Sequence, residues 1–298
     1  MNTRTAALRR FALAITVLNI LGHTLLGFEQ SHAQPVFSLL TAYSVELLLE
    51  YIQSKADGRR PRFLQGGLTK FVDFLLPAHI TGLAVAMLLY ANDRLLPIIF
   101  AAGLAICSKA IFSVRQEHGS RHFFNPSNFG ITITLLLFPS VGIAAPYMFT
   151  EGLGPIGSVI LPALIVVSGS FLNIKLTHRF PLLASWVCAF VLQALVRHYL
   201  FGAQLLPILG VTTGVAFILY TFYMVTDPAT TPASHKGQVT FGVAVGLLYG
   251  VLVTLHVVFG MFFALTVVCL CRGAALALAP YLAGKKSATR NEQPALAA

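Results

Sequence analysis

Charge is what this chain has least of. Only 10% of its 298 residues are charged, against roughly a quarter in a soluble domain. Asp and Glu together number ten, there is one Trp, and there are four Cys. So few ionisable groups exclude a solvated surface large enough for a soluble fold of this size. No P-loop, dinucleotide glycine fingerprint or Ser–His–Asp arrangement is present, so the common nucleotide-binding and hydrolase readings have no residues to carry them. No pair of His, Cys or carboxylates shows metal-ligand spacing, which predicts no bound metal. The cysteines (Cys107, Cys188, Cys269, Cys271) all fall in apolar stretches. Cys269 and Cys271 are two apart and would point to different helix faces, so all four read as packing thiols.

What the chain has in quantity is hydrophobic sequence: 56% of residues, with a mean hydropathy of +0.79. The bilayer is therefore its first partner. The net charge of +10 comes without a basic helix or an aromatic platform, so nucleic acid is not implied. Windows of about twenty apolar residues mark ten spans, at 11–28, 36–53, 71–91, 95–114, 127–145, 156–174, 181–201, 205–225, 238–259 and 260–283. This predicts an all-α polytopic membrane protein of about ten transmembrane helices, one integral-membrane domain over 1–283. Its halves fall at about 1–145 and 156–283, and a disordered cytoplasmic tail follows at 284–298. The first helix follows Arg4, Arg9 and Arg10 without a small-residue cleavage signal and reads as uncleaved. Lys and Arg crowd alternate loops (Arg59, Arg60, Arg121, Lys175, Arg179, Lys236), while the opposite loops hold only Arg94. By the positive-inside rule both termini face the cytoplasm of a bacterial inner membrane.

Two polar breaks interrupt this pattern. Ser120-Arg-His-Phe-Phe-Asn-Pro-Ser-Asn-Phe-Gly130 and Thr226-Asp-Pro-Ala-Thr-Thr-Pro232 each set Asn-Pro or Asp-Pro ahead of an apolar run. Asn or Asp caps a helix and Pro fits its first turn. Among membrane spans such an interruption lines a cavity and faces a ligand or ion. An internal echo surrounds the breaks: Leu95-Leu-Pro-Ile98 recurs as Leu205-Leu-Pro-Ile208, and Phe129-Gly130 as Phe241-Gly242. The blocks 70–145 and 179–259 read as diverged copies four spans apart, each carrying a Pro-interrupted helix. An inverted five-plus-five arrangement stays open, since it needs one segment to be re-entrant.

Ionisable residues within spans are few and are functional candidates by default. Glu46 and Glu50 share a helix face, where they either pair with Arg59 or Arg60 or belong to a cation or proton path. Asp73 sits one turn inside the third span. With Glu46 and Glu50 it completes the ion-path candidates. Lys109 either snorkels to the surface or meets a carboxylate or anionic ligand beside Asn125. His23 and His256 read as packing residues.

The block Asp73, Thr81-Gly-Leu83, Leu96-Pro97, Ser108-Lys109 and Phe124-Asn-Pro-Ser127 resembles the first half of RnfD, a membrane component of the Rnf electron-transport complexes. It is similar also to the homologous NqrB component of the sodium-pumping NADH:quinone reductase. Met224-Val-Thr-Asp-Pro228, followed by Lys236-Gly237 and Phe241-Gly242, resembles the family's second-half signature. The wording of both Pro motifs is most similar to the compact UnbU-like branch, named from enediyne gene clusters. The resemblance implies ten helices, partner electron-transport subunits, membrane-held flavin, and electron transfer coupled to ion movement. It assigns cofactor contact to Lys109, Asn125, Pro126, Ser127, Asn128, Thr226, Asp227 and Pro228, with no residue catalytic alone. Family members attach FMN to a Ser-Gly-Ala-Thr motif, which is missing around Thr150; Ser168-Gly-Ser-Phe171 lacks the Thr. That departure argues against covalent FMN and leaves a non-covalent flavin, riboflavin or FMN, between the Pro motifs. Phe123, Phe124, Phe129, Phe222 and Tyr223 would be its aromatic walls. A small-solute or ion transporter or channel on the same scaffold, or an assembly subunit, are the rival readings.

Overall fold

The computed structural model describes residues 3–116 and 119–292. It is an α-helical bundle in which each apolar stretch of the sequence becomes a helix or a broken helix. In chain order these are α1 (Thr3–Leu21), α2 (Ala33–Ala56), α3 (Gly67–Leu88), α4 (Leu95–Ile111), α5 (Pro126–Leu137) and α6 (Pro155–Phe171). They continue with α7 (Phe180–Phe201), α8 (Leu205–Gly210), α9 (Val215–Leu219), α10 (His235–Thr254) and α11 (Gly260–Glu292). Seven of the helical segments are long and apolar enough to cross a membrane. The chain is a multi-pass, all-α membrane protein.

The other three segments depart from the expected lengths. α4 stops at Ile111 and α5 at Leu137, where Phe138-Pro139 ends it. At 1.5 Å per residue, twelve residues in α5 reach about 18 Å, well short of a hydrocarbon core of about 30 Å. The expected span 205–225 is broken at Gly214, where α8 and α9 bend by 68°. Pro207, Gly210 and Gly214 weaken the helix there. α9 then runs into a π-helical turn, Tyr220–Met224, which delivers the chain to the Asp-Pro motif.

Two small antiparallel ribbons complete the fold. β1 (Leu89–Tyr90) pairs with β4 (Gly142–Ile143) at one end of the bundle. β2 (Ser113–Gln116) pairs with β3 (Gly119–His122) at the other, as a hairpin inside the loop that ends in Asn125-Pro126. α11 continues to Glu292, so residues 284–292 are helical where a disordered tail is expected; 293–298 lie outside the described residues. Lys, Ala, Arg and Glu are good helix formers, and no Pro lies between Pro280 and Pro294.

The helices pack in two similar sets. α4 lies between α2 and α5 as α10 lies between α7 and α11, and α1 packs on α3 as α6 packs on α9. α1 and α6 both end in a π-helical turn, at Gly22–Leu26 and Leu172–Leu176. With α8 and α9 counted as one broken segment, this correspondence spans five segments rather than the four of the sequence echo. An odd offset makes the halves run in opposite senses. The echoed glycines accordingly meet different neighbours. A Cβ at Gly130 would collide with the Ala101 carbonyl oxygen on α4, whereas one at Gly242 would collide with Ser185 on α7.

Each end of the bundle is tied by its own contacts. At the basic end Arg9 grips Asp73, with Nε and Nη2 at 2.7 and 2.8 Å from the two carboxylate oxygens. Arg59 and the Arg62 N–H hold Glu50, at 2.5 and 2.8 Å. At the opposite end the Gly152 N–H donates to the Leu26 carbonyl and the Ala144 N–H to that of Leu88.

Candidate functional site

α5 begins where the sequence marks a helix start. The Asn125 side-chain oxygen accepts the Asn128 N–H at 3.0 Å and the Ser127 hydroxyl at 2.9 Å. Pro126 occupies the first turn, where its missing N–H costs nothing. The Asn125 amide then reaches across the molecule, donating to the Met224 carbonyl at 3.2 Å and to Asp227 Oδ2 at 3.4 Å. Asp227 closes its own turn: Oδ1 accepts the Ala229 N–H at 2.9 Å and Oδ2 the Thr230 hydroxyl at 3.1 Å. Two motifs from opposite halves thus meet side chain to side chain.

They meet on the wall of a cavity of about 930 Å³, at the large end of the range for small-molecule sites. Asn125, Pro126, Ser127 and Asp227 line it, and so do Lys109 and Glu46. Lys109 Nζ donates to Glu46 Oε2 at 2.5 Å across the α2–α4 contact. Of the two readings of Lys109, it meets a carboxylate. The far wall is α1, α6 and the end of α9 with its π-helical turn, through Phe11, Leu18, Ser168, Leu219 and Tyr223. Phe11 and Tyr223 stack with centroids 5.1 Å apart.

The remaining sequence candidates lie elsewhere. Asn128 turns to α11, donating to the Phe262 carbonyl and Thr266 at 3.1 and 2.8 Å. Three positions after the cap, it faces the helix beside α5 rather than the opening ahead of it. The Thr226 hydroxyl donates to the Phe222 carbonyl at 2.6 Å, and Pro228 offers only its carbonyl, to two arginines behind the turn. Neither lines the cavity. Phe124 packs edge-on or tilted among Phe112, Phe123 and Phe129 in a cluster of its own, and of the expected aromatic walls Tyr223 alone lines the cavity. Among the ion-path candidates, Glu50 and Asp73 are each held by a guanidinium at the basic end, and the loop-pairing alternative for Glu50 is the one realised. Glu46 alone faces the cavity. Among the described residues, no group of three or more His, Cys, Asp or Glu is placed to hold a metal.

Sequence reading missed His122, Thr81, Ser168 and Phe11 as cavity residues. His122 ends β3 only because the loop folds back as a hairpin, which no spacing announces. Burial holds its imidazole below the usual value, with Lys109 and Arg121 acting in the same direction and Asp227 and Glu46 against it. A depressed folded value means stability present above the ordinary imidazole range and lost as pH falls through it. Unfolding temperature should therefore drop between about pH 7 and pH 5. His122→Gln should flatten part of that slope; an unchanged slope would remove His122 as a contributor.

Residues 145–273 match the model of the NQR2, RnfD, RnfE family. Over that segment the chain is similar to this family. The match takes in α6 to the first half of α11, and with them the Asp-Pro turn and the α6 and α9 parts of the cavity's far wall. That similarity supports a membrane subunit of the electron-transport type. The match is to the family as a whole and does not distinguish the UnbU-like branch. No curated protein matches the chain.

Proposed function

We propose that the chain is an electron-transfer subunit of a bacterial inner-membrane complex that holds riboflavin or FMN non-covalently in the cavity beside Asn125 and Asp227. Both termini would then be cytoplasmic, since the basic loops share their end of the bundle. The observation that carries this reading is the meeting of the two Pro motifs on the wall of a cavity large enough for a tricyclic ring. The lining fits such a group: a flat aromatic face from Tyr223 and Phe11, aliphatic walls, and a polar edge. Its polar atoms are unevenly free. Asn125 and Asp227 spend most of their capacity on each other and on their own turns, so ring contacts fall to Lys109, Ser127, His122 and Thr81. A bound flavin would supply reversible electron transfer. Lys109, paired with Glu46, would place a cation at the polar edge, where negative charge is favoured.

The broken α8–α9 segment beside the cavity supports a second reading, a small-solute or ion transporter without redox chemistry. Purified protein decides between them. It should carry flavin absorbance that leaves the chain on denaturation, and Tyr223→Leu should weaken flavin binding roughly 2- to 10-fold. A colourless preparation with no extractable flavin, together with solute flux in liposomes, would overturn the electron-transfer reading.

A further inference from the structure

At the Asp-Pro turn, whose Asp227 and Ala229 line the cavity, three arginines converge. Arg121 on β3 donates from Nη2 to the Pro228 carbonyl at 2.6 Å. Arg179, at the start of α7, donates from Nη2 to the same oxygen at 3.3 Å. Arg272 on α11 donates to the Thr230 carbonyl at 2.9 Å. Two guanidinium groups thus share one neutral acceptor, and the third binds two residues further along the same short turn. None of the three forms an ion pair with a carboxylate among the described residues. Arg179 is only 7% exposed, and its Nε–H is buried with no hydrogen-bond partner. The nearby carboxylate, Asp227, is already taken up by the Ala229 N–H, the Thr230 hydroxyl and Asn125.

Such a cluster is unstable as it stands. Buried charge needs a counter-charge, and buried donors need acceptors. Three cations against one carboxylate leave an excess of two positive charges. Burial and the neighbouring Arg121 charge also depress the affinity of Arg179 for its proton. Guanidinium forks match the oxygens of a phosphate group, and a phosphate monoester carries about −1.5 to −2 near pH 7.

We propose that Arg121, Arg179 and Arg272, gathered around the 227–230 turn, form a binding site for a phosphate group. Phosphate chemistry could reach it from two sources: a monoester on a ligand whose body lies in the cavity, or the diester of an anionic lipid headgroup at the basic end. The monoester source rests on the flavin reading and selects FMN over riboflavin. The site itself does not.

The test uses full-length protein in phosphatidylcholine nanodiscs, with thermal unfolding measured in inorganic phosphate against chloride at matched ionic strength. Phosphate should raise the unfolding temperature by a few degrees. FMN should bind about 10-fold more tightly than riboflavin. Arg179→Gln should remove both effects, and Arg179→Lys should restore part of them. Arg121→Gln, on the half-exposed hairpin, gives the same test with less risk to folding. If phosphatidylglycerol in the nanodisc stabilises the protein and cancels the phosphate effect, the site stands with lipid as its source. If phosphate protects while neither flavin binds, the site stands and the flavin reading falls. Absence of protection by phosphate and by phosphatidylglycerol, with the glutamine variants indistinguishable from wild type, would overturn the proposal.

Discussion

Asn125→Ala should lower the unfolding free energy by about 3 kcal/mol, more than any ordinary helix cap. The cap alone is worth about 1 kcal/mol. The variant also removes one donor each from the Met224 carbonyl and Asp227, which keep other partners; each lost hydrogen bond is worth about 0.5–1.5 kcal/mol net. Ser234 provides the internal comparison. It caps α10 by accepting the Gly237 N–H at 3.2 Å, but it is exposed and reaches nothing on another element. Ser234→Ala should therefore cost only about 0.5–1 kcal/mol. Asn125→Asp should not rescue the clamp, because it sets a second carboxylate against Asp227. Unfolding in detergent micelles across the three variants reads the difference. If Asn125→Ala costs no more than Ser234→Ala, Asn125 is merely a cap and does not bind the halves together.

Lys109 and Glu46 should behave as a unit. Their side chains are 16% and 20% exposed, on helices that run through the apolar layer. Removing one partner strands the other charge, at a cost of about 3–5 kcal/mol. Glu46→Gln and Lys109→Met should each destabilise by that amount. The double variant should recover most of the loss, giving a coupling of roughly 2–4 kcal/mol in the cycle. Lys109 also sits in the last turn of α4, where the helix dipole favours a cation, so Glu46→Gln should be the milder single change. Additive losses would mean that the two side chains do not depend on each other.

Much of this architecture is visible in the sequence because hydropathy counts residues, and burial in lipid depends on that count. Each of the ten apolar windows became a helical segment, and both Pro motifs became helix starts or turns. Direction is a different matter. Asn125 and Asn128 stand three apart in one motif, yet one faces Met224 and the other Phe262, because the packing of α5 on α11 decides which face each presents. The bend at Gly214 and the early end of α5 were hidden in apolar windows that average over a break. The fate of Glu50 and Asp73 turned on which arginines come within reach, Arg59 and Arg9, and that follows from the tertiary fold. The arginine cluster was likewise illegible: its members are 58 and 93 residues apart along the chain (121 to 179, then 179 to 272), and read singly each is a loop or helix-end charge.

The meeting of the two motifs can be tested without any ligand. In a background with Cys107, Cys188, Cys269 and Cys271 replaced, Asn125→Cys and Asp227→Cys should be joined by a short bifunctional thiol reagent within a single chain. Mass spectrometry after cleavage in the 138–154 connection should then recover the two halves as one linked species. Halves that separate cleanly, while each cysteine alone still reacts with the reagent, would place the two motifs apart and contradict the shared pocket.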